Sequence, residues 1–215
     1  MTKITPTAET YTEFNRAYDY FNDKLFGGAL PACVITMQRH KKAYGYFWGN
    51  SWADAKGEVI TDEIAMNPDN FRRRSTAETL STLVHEMCHL QQHHFGKASR
   101  NGYHNKEWAH MMEAVGLIPS DTGAEGGKKT GQKVSHYIQP GGRFDQACRA
   151  LLDDAFTVPW MALTHSGEEK TRKKKAASKT KYTCLSCDLN VWGKPDIKVI
   201  CGECEAVLEA ETPDD

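Results

Sequence analysis

The chain has 215 residues, 40% of them apolar and 26% charged, with a formal net charge of −1. This is ordinary globular composition, sized for one domain and a small addition. The balanced charge gives no overall pull toward nucleic acid or membrane. No apolar run approaches membrane-spanning length, and residues 1–14 lack the apolar core of a signal peptide, so a cytoplasmic location without a membrane partner is expected. Seven cysteines, an odd number, fit reduced thiols and metal ligation better than a disulfide frame.

Thr5-Pro6 opens a first helix with proline at the first helical position. Phe14, Ala17, Tyr18, Phe21 and Leu25 line its packing face, and Gly27-Gly28 stop it. Ala32–Met37, Tyr44–Trp48 and Gly57–Thr61 read as strands. Ile64–Asn67 reads as a short edge strand ended by Pro68, and is the candidate to hold an extended peptide by β-augmentation. The aromatic group Tyr44, Tyr46, Phe47, Trp48 and Trp52 suits core packing, with base stacking as the rival reading.

Ser75-Thr76-Ala77-Glu78 is a capping box and starts a second helix, which Gly96 ends. Leu80, Leu83, Val84 and Met87 form its apolar stripe. On another face it carries His85-Glu86-Met87-Cys88-His89. Residues four apart on a helix stand one above the other, so His85 and His89 can grip one zinc ion with Glu86 beside them as general base. His93 continues the row, but eight residues of helix rise about 12 Å, too far to share an ion with His85. A third ligand must come from a segment that folds back. Lys97–Tyr103 suits a turn, and a third helix reading His104, Trp108, Met111 and Val115 would aim His104 inward. Glu113 is the weaker alternative as third ligand. The metzincin spacing would put a third histidine at position 95, which is Phe95.

These residues, with Phe21-Asn22-Asp23-Lys24-Leu25-Phe26, Leu30-Pro31 and Tyr44-Gly45-Tyr46-Phe47, resemble the SprT-like metalloprotease family, which includes Spartan. The resemblance covers about the first 118 residues. It implies a zinc endopeptidase in which zinc on His85, His89 and His104 keeps one position for water and Glu86 moves the proton. Spartan-like members cut proteins trapped covalently on DNA, so a protein or peptide substrate, DNA-associated, is the implied target. The fold expected is α+β, a small mixed sheet packed on zincin-type helices.

Ser120–Lys133 reads as an exposed loop, Val134–Ile138 as a short strand, and Phe144, Ala147, Cys148, Leu151 and Phe156 as one face of an amphipathic helix. His136 and Tyr137 read as structural, with polarisation of a substrate carbonyl as the rival role. Residues 167–181 form a basic linker with Lys170, Arg172, Lys173, Lys174 and Lys175, either a solvated tether or a phosphate-binding stretch that would contact DNA. In the tail, Cys184-x-x-Cys187 and Cys201-x-x-Cys204 are a strong signal for a four-cysteine structural zinc, with Asn190–Trp192 and Lys198–Ile200 as ribbon strands. So short a segment needs the ion to fold. The expected organisation is therefore a metalloprotease domain over 1–118, a helical and loop segment over 119–166, the linker, and a zinc ribbon over 182–210. Two Zn2+ ions follow, one catalytic and one structural. The alternative is a nucleic-acid-binding regulator whose zinc sites are mainly structural.

Overall fold

The computed structural model describes residues 4–100, 102–163 and 180–211. The first helix, α1 (Pro6–Phe26), buries Phe14, Ala17, Tyr18, Phe21 and Leu25, and closes on Gly27 in the left-handed conformation at φ 65°. Glycine meets no Cβ penalty there. Three strands follow: β1 (Val34–Met37), β2 (Gly45–Ala53) and β3 (Ile60–Met66), in the order β1-β3-β2. β1 runs parallel to β3 and β2 antiparallel to it.

Two strands were expected where β3 alone lies, and Ile64–Asn67 is not an edge. It forms the end of the central strand, hydrogen-bonded on both sides. The reason lies in its burial: Asp62 through Asn67 are all buried, the pattern of a strand covered on both faces rather than a half-solvated edge. The aromatic group is not core either. Trp48 is 63% exposed and Trp52 44%, while Phe47 packs at the core margin.

Helix α2 (Thr76–Phe95) begins as the capping box requires: the Ser75 hydroxyl accepts the Glu78 N–H, and the Glu78 carboxylate accepts the Ser75 N–H at 2.7 Å. It is the central helix. Every residue from Thr79 to Cys88 is buried, so the apolar stripe faces the core and the histidine face is covered as well. Helix α3 (Lys106–Val115) starts at an Asn105 cap that accepts the Trp108 N–H at 3.0 Å, and ends on Gly116. A two-stranded sheet follows, β4 (Leu117–Ser120) against β5 (Ser135–Ile138). Ser120, expected in an open loop, is fully buried as the last residue of β4. Helix α4 (Arg143–Asp153) returns Phe144, Cys148 and Leu151 to the same core as α1 and α2.

The chain divides into two compact units, residues 1–164 and 165–215. The second contains a three-stranded sheet of β6 (Thr180–Thr183), β7 (Asn190–Gly193) and β8 (Glu209–Ala210), ordered β7-β6-β8. Lys198–Ile200 forms no strand; Ile200 makes one isolated bridge to Val207 instead. Of the basic linker, Lys170, Arg172, Lys173, Lys174 and Lys175 lie outside the described residues. Lys181 sits in β6 and pairs with Glu211 at 3.3 Å. The architecture is α+β with small sheets, and among the described residues no helix is long and apolar enough to cross a membrane.

Candidate metal centre

Helix α2 sets His85 and His89 one turn apart, with ring centroids 5.2 Å from each other. His104 comes within 5.7 Å of His85 and 5.0 Å of His89. One ring nitrogen from each of the three lies within 4.8 Å of the other two. Trp108, fully buried, backs the group: its ring lies 4.9, 5.0 and 4.4 Å from those of His85, His89 and His104.

His104 reaches this point by a different route from the one expected. It does not ride on a helix. Asn105 caps α3, which leaves His104 outside, and its backbone pairs with Gly131 through bonds of 2.9 and 3.0 Å. The positioning element is thus a β-bridge to the loop before β5. Glu113 is not a candidate ligand, because its carboxylate holds Lys129 at 2.5 Å.

The hydrogen bonds determine which nitrogens are free. The His104 Nδ1 faces the Gly131 carbonyl at 3.2 Å, and a carbonyl only accepts, so Nδ1 carries the proton and Nε2 is bare. A longer chain acts on His85. The Ser81 hydroxyl donates to the Glu78 carbonyl at 2.9 Å, so its oxygen accepts from His136 Nε2 at 2.8 Å. His136 Nδ1 is then unprotonated and accepts from His85 Nδ1 at 3.0 Å. His85 Nε2 is left with a free lone pair. The rings are also neutral. Burial holds His85 well below the usual histidine range and lowers His89 and His136 to about 3 each; it lowers His104 too. Neutral imidazoles with bare nitrogens are the form that ligates zinc, so these residues fit that ion.

Glu86 is buried next to His85, and burial pushes its carboxyl up to about 8. A nearby divalent cation reverses that shift by favouring the carboxylate. Gly45 of β2 lies close to both Ala65 of β3 and Glu86. A Cβ added at Gly45 would meet the Ala65 carbonyl oxygen at 2.8 Å and Glu86 Oε1 at 3.3 Å, so only glycine fits. A cleft of about 440 Å³ opens here, bordered by Tyr44–Phe47, His85, Glu86, His104 and His136. Beside it the Arg74 guanidinium lies 4.2 Å over the Tyr44 ring and donates to Thr82.

In the second unit, sulfur atoms of Cys184, Cys187, Cys201 and Cys204 lie within 4.8 Å of one another. Backbone N–H groups, that of Ser186 foremost, lower Cys184 to about 7, while its neighbour Cys187 pushes Cys204 up to about 12. Four cysteine sulfurs brought this close together are the donor set of a structural zinc site and fit that ion. The small core beneath is Tyr182, Cys184, Cys201 and Leu208.

Two arrangements have no local signal. His136 reads as structural from its own segment, and its link to His85 spans 51 positions. His93 was set aside as out of reach, yet with His94 it converges on Asp62, giving a third group able to hold a metal.

The sequence model of the SprT-like family matches residues 14–128, a little over half of the chain. The chain is also 49% identical over 59 residues to a Salmonella typhimurium protein described as "Uncharacterized protein in mucB 3'region"; the match covers 27% of this chain and 80% of that protein. No solved structure matches.

Proposed function

Because the chain belongs to the SprT-like family, we propose that it is a zinc-dependent endopeptidase with its centre at His85, His89, His104 and Glu86. The observation that carries this reading is the convergence of three neutral imidazoles on one point, with a buried carboxylate adjacent and a cleft open to both. Zinc supplies Lewis-acid polarisation of a carbonyl and acidifies water. Glu86 takes the proton from the attacking water at its carboxylate and returns it to the leaving amine. The His136–Ser81 chain keeps His85 in the tautomer that presents Nε2. Among the described residues β2 pairs only with β3, so its other edge is free, and its Tyr46-Phe47 end borders the cleft. That edge, in place of Ile64–Asn67, is the strand to which an extended peptide adds.

The finer reading follows the same family. The substrate is a protein associated with or crosslinked to DNA, in the cytoplasm. The four-cysteine ribbon over 182–210 holds a structural zinc, and the preceding basic stretch brings nucleic acid close. The domains are the metalloprotease over 1–118, the segment over 119–166, the linker and the ribbon. The rival, a nucleic-acid-binding regulator, draws on the exposed Trp48, Trp52 and Trp192 as stacking surfaces. One experiment separates them. Casein and a DNA-bound protein are incubated with the chain, with and without single-stranded DNA and a chelator. Chelator-sensitive cleavage that drops at least about 100-fold in Glu86→Gln, the effect of losing a general base, is the expected result. DNA binding with no such cleavage would reject the peptidase in favour of the regulator.

A further inference from the structure

We propose that Asp62, His93 and His94 form a separate binding site for a divalent transition-metal ion, which ties β3, opposite the bulge of β2, to the end of α2.

The site begins with a break in register. Trp48 pairs with Glu63 and Trp52 with Thr61, so residues 49–51 all stand opposite Asp62. Such bulges re-aim groups and recur beside functional sites. Asn50, at its apex, adopts φ 53°, a left-handed conformation uncommon outside glycine. That turn points its N–H at Asp62 Oδ1, 2.7 Å away, and sets its side-chain amide 3.2 Å from His93 Nε2. Gly49 makes room for the His93 ring, since a Cβ there would lie 2.7 Å from Cε1.

Asp62 is 2% exposed, and among the described residues no lysine or arginine pairs with it. A buried carboxylate needs a counter-charge. The groups that face it are the two imidazoles in the last turn of α2: His94 Nε2 at 2.7 Å from Oδ2 and His93 Nε2 at 3.7 Å from Oδ1. Both are neutral unless protonated, so neither supplies a permanent charge. Ligands of one tetrahedral zinc lie about 3.3 Å apart, from bond lengths near 2.0–2.1 Å, and the observed separations fall on either side of that value. Two imidazoles and one carboxylate are the donor set of zinc and of other first-row divalent ions. Binding requires that the His94 proton move from Nε2 to Nδ1 and that the Asn50 amide give up its contact with His93 Nε2, with no net proton or electron exchanged. His93 also packs on Phe47, 5.6 Å between rings, and Phe47 borders the peptidase cleft. An ion here therefore stiffens the strand that forms one wall of that cleft.

The proposal does not depend on peptidase activity. The full chain is equilibrated with zinc, freed of excess, and its metal counted by mass spectrometry. Two variants are compared with it: the double substitution His93→Gln with His94→Gln, and Asp62→Asn, which keeps the size of the side chain and its contact with Asn50. Each is expected to bind one equivalent less than the parent chain. His104→Ala removes a different equivalent, and combined with the double substitution it removes two. Thus an empty His104 site leaves the Asp62-dependent count unchanged. Parental zinc content in either folded variant overturns the proposal. Circular dichroism establishes folding, and if one variant is unfolded the other decides.

Discussion

Replacing His136 by phenylalanine keeps a ring of similar size and removes both of its hydrogen bonds, 3.0 Å to His85 and 2.8 Å to Ser81. His85 then keeps a buried Nδ1–H without an acceptor, and the tautomer that frees Nε2 is no longer enforced. Leaving one such buried group unpartnered costs about 1–3 kcal/mol. Loss of an outer partner of a metal-bound histidine lowers affinity about 10–100-fold, which is about 1.4–2.8 kcal/mol at 1.4 kcal/mol per tenfold. The two routes agree, so zinc affinity at this centre should fall by that factor. Trp108 reports it, because its ring lies against all three imidazoles. Zinc is titrated against a competing chelator while tryptophan fluorescence is followed, with Trp108→Phe as the blank. His136→Asn should recover most of the affinity, because its amide oxygen can accept the His85 proton. Undiminished affinity in His136→Phe, or equal loss in His136→Asn, would refute the tautomer chain.

Other outcomes follow from the same structure. Ser75→Ala removes the capping box of α2 and should cost about 1 kcal/mol, read as a lower Tm. The Ser75 N–H and, after it, the Ser75 hydroxyl hold the Glu78 carboxyl below its ordinary range, and Ser75→Ala removes only the contribution of the hydroxyl. Its share of stability is therefore complete above the ordinary glutamate pKa and is lost as pH falls through the lowered one; a parent-minus-variant Tm difference that grows on acidification contradicts this. Gly45→Ala puts a Cβ 2.8 Å from the Ala65 carbonyl oxygen, and overpacking of this kind costs about 1–3 kcal/mol. An unchanged Tm would mean that Gly45 does not lie so close to the Ala65 carbonyl of β3. Chelation should unfold the four-cysteine unit first, since its apolar core is only Tyr182, Cys184, Cys201 and Leu208. Limited proteolysis should then cut within 180–211 while 4–163 survives, and a tail still protected after zinc removal would contradict the metal-dependent fold.

The family, the α+β class and the ends of α2 were legible in the residues, because each is written in a short window. A capping box needs four positions, a pair of stacked histidines five, and each cysteine knuckle four. Strand pairing needs more. Ile64–Asn67 looks like an edge when read alone, and becomes central only because β1 and β2 arrive on either side. His104 reads as helical because its spacing to Trp108 is helical, but Asn105 caps α3 by accepting the Trp108 N–H and so leaves His104 outside it.

The sequence by itself determined which side chains can ligate and where the helix that carries two of them must start, since those properties depend on neighbours within about one turn of helix. Tertiary structure alone decided which nitrogen His104 and His85 offer, through Gly131 and His136, which lie 27 and 51 positions away. It also decided that a bulge in β2 encloses Asp62 with His93 and His94. Register and hydrogen-bond direction are set by packing between distant segments, and no local pattern encodes them.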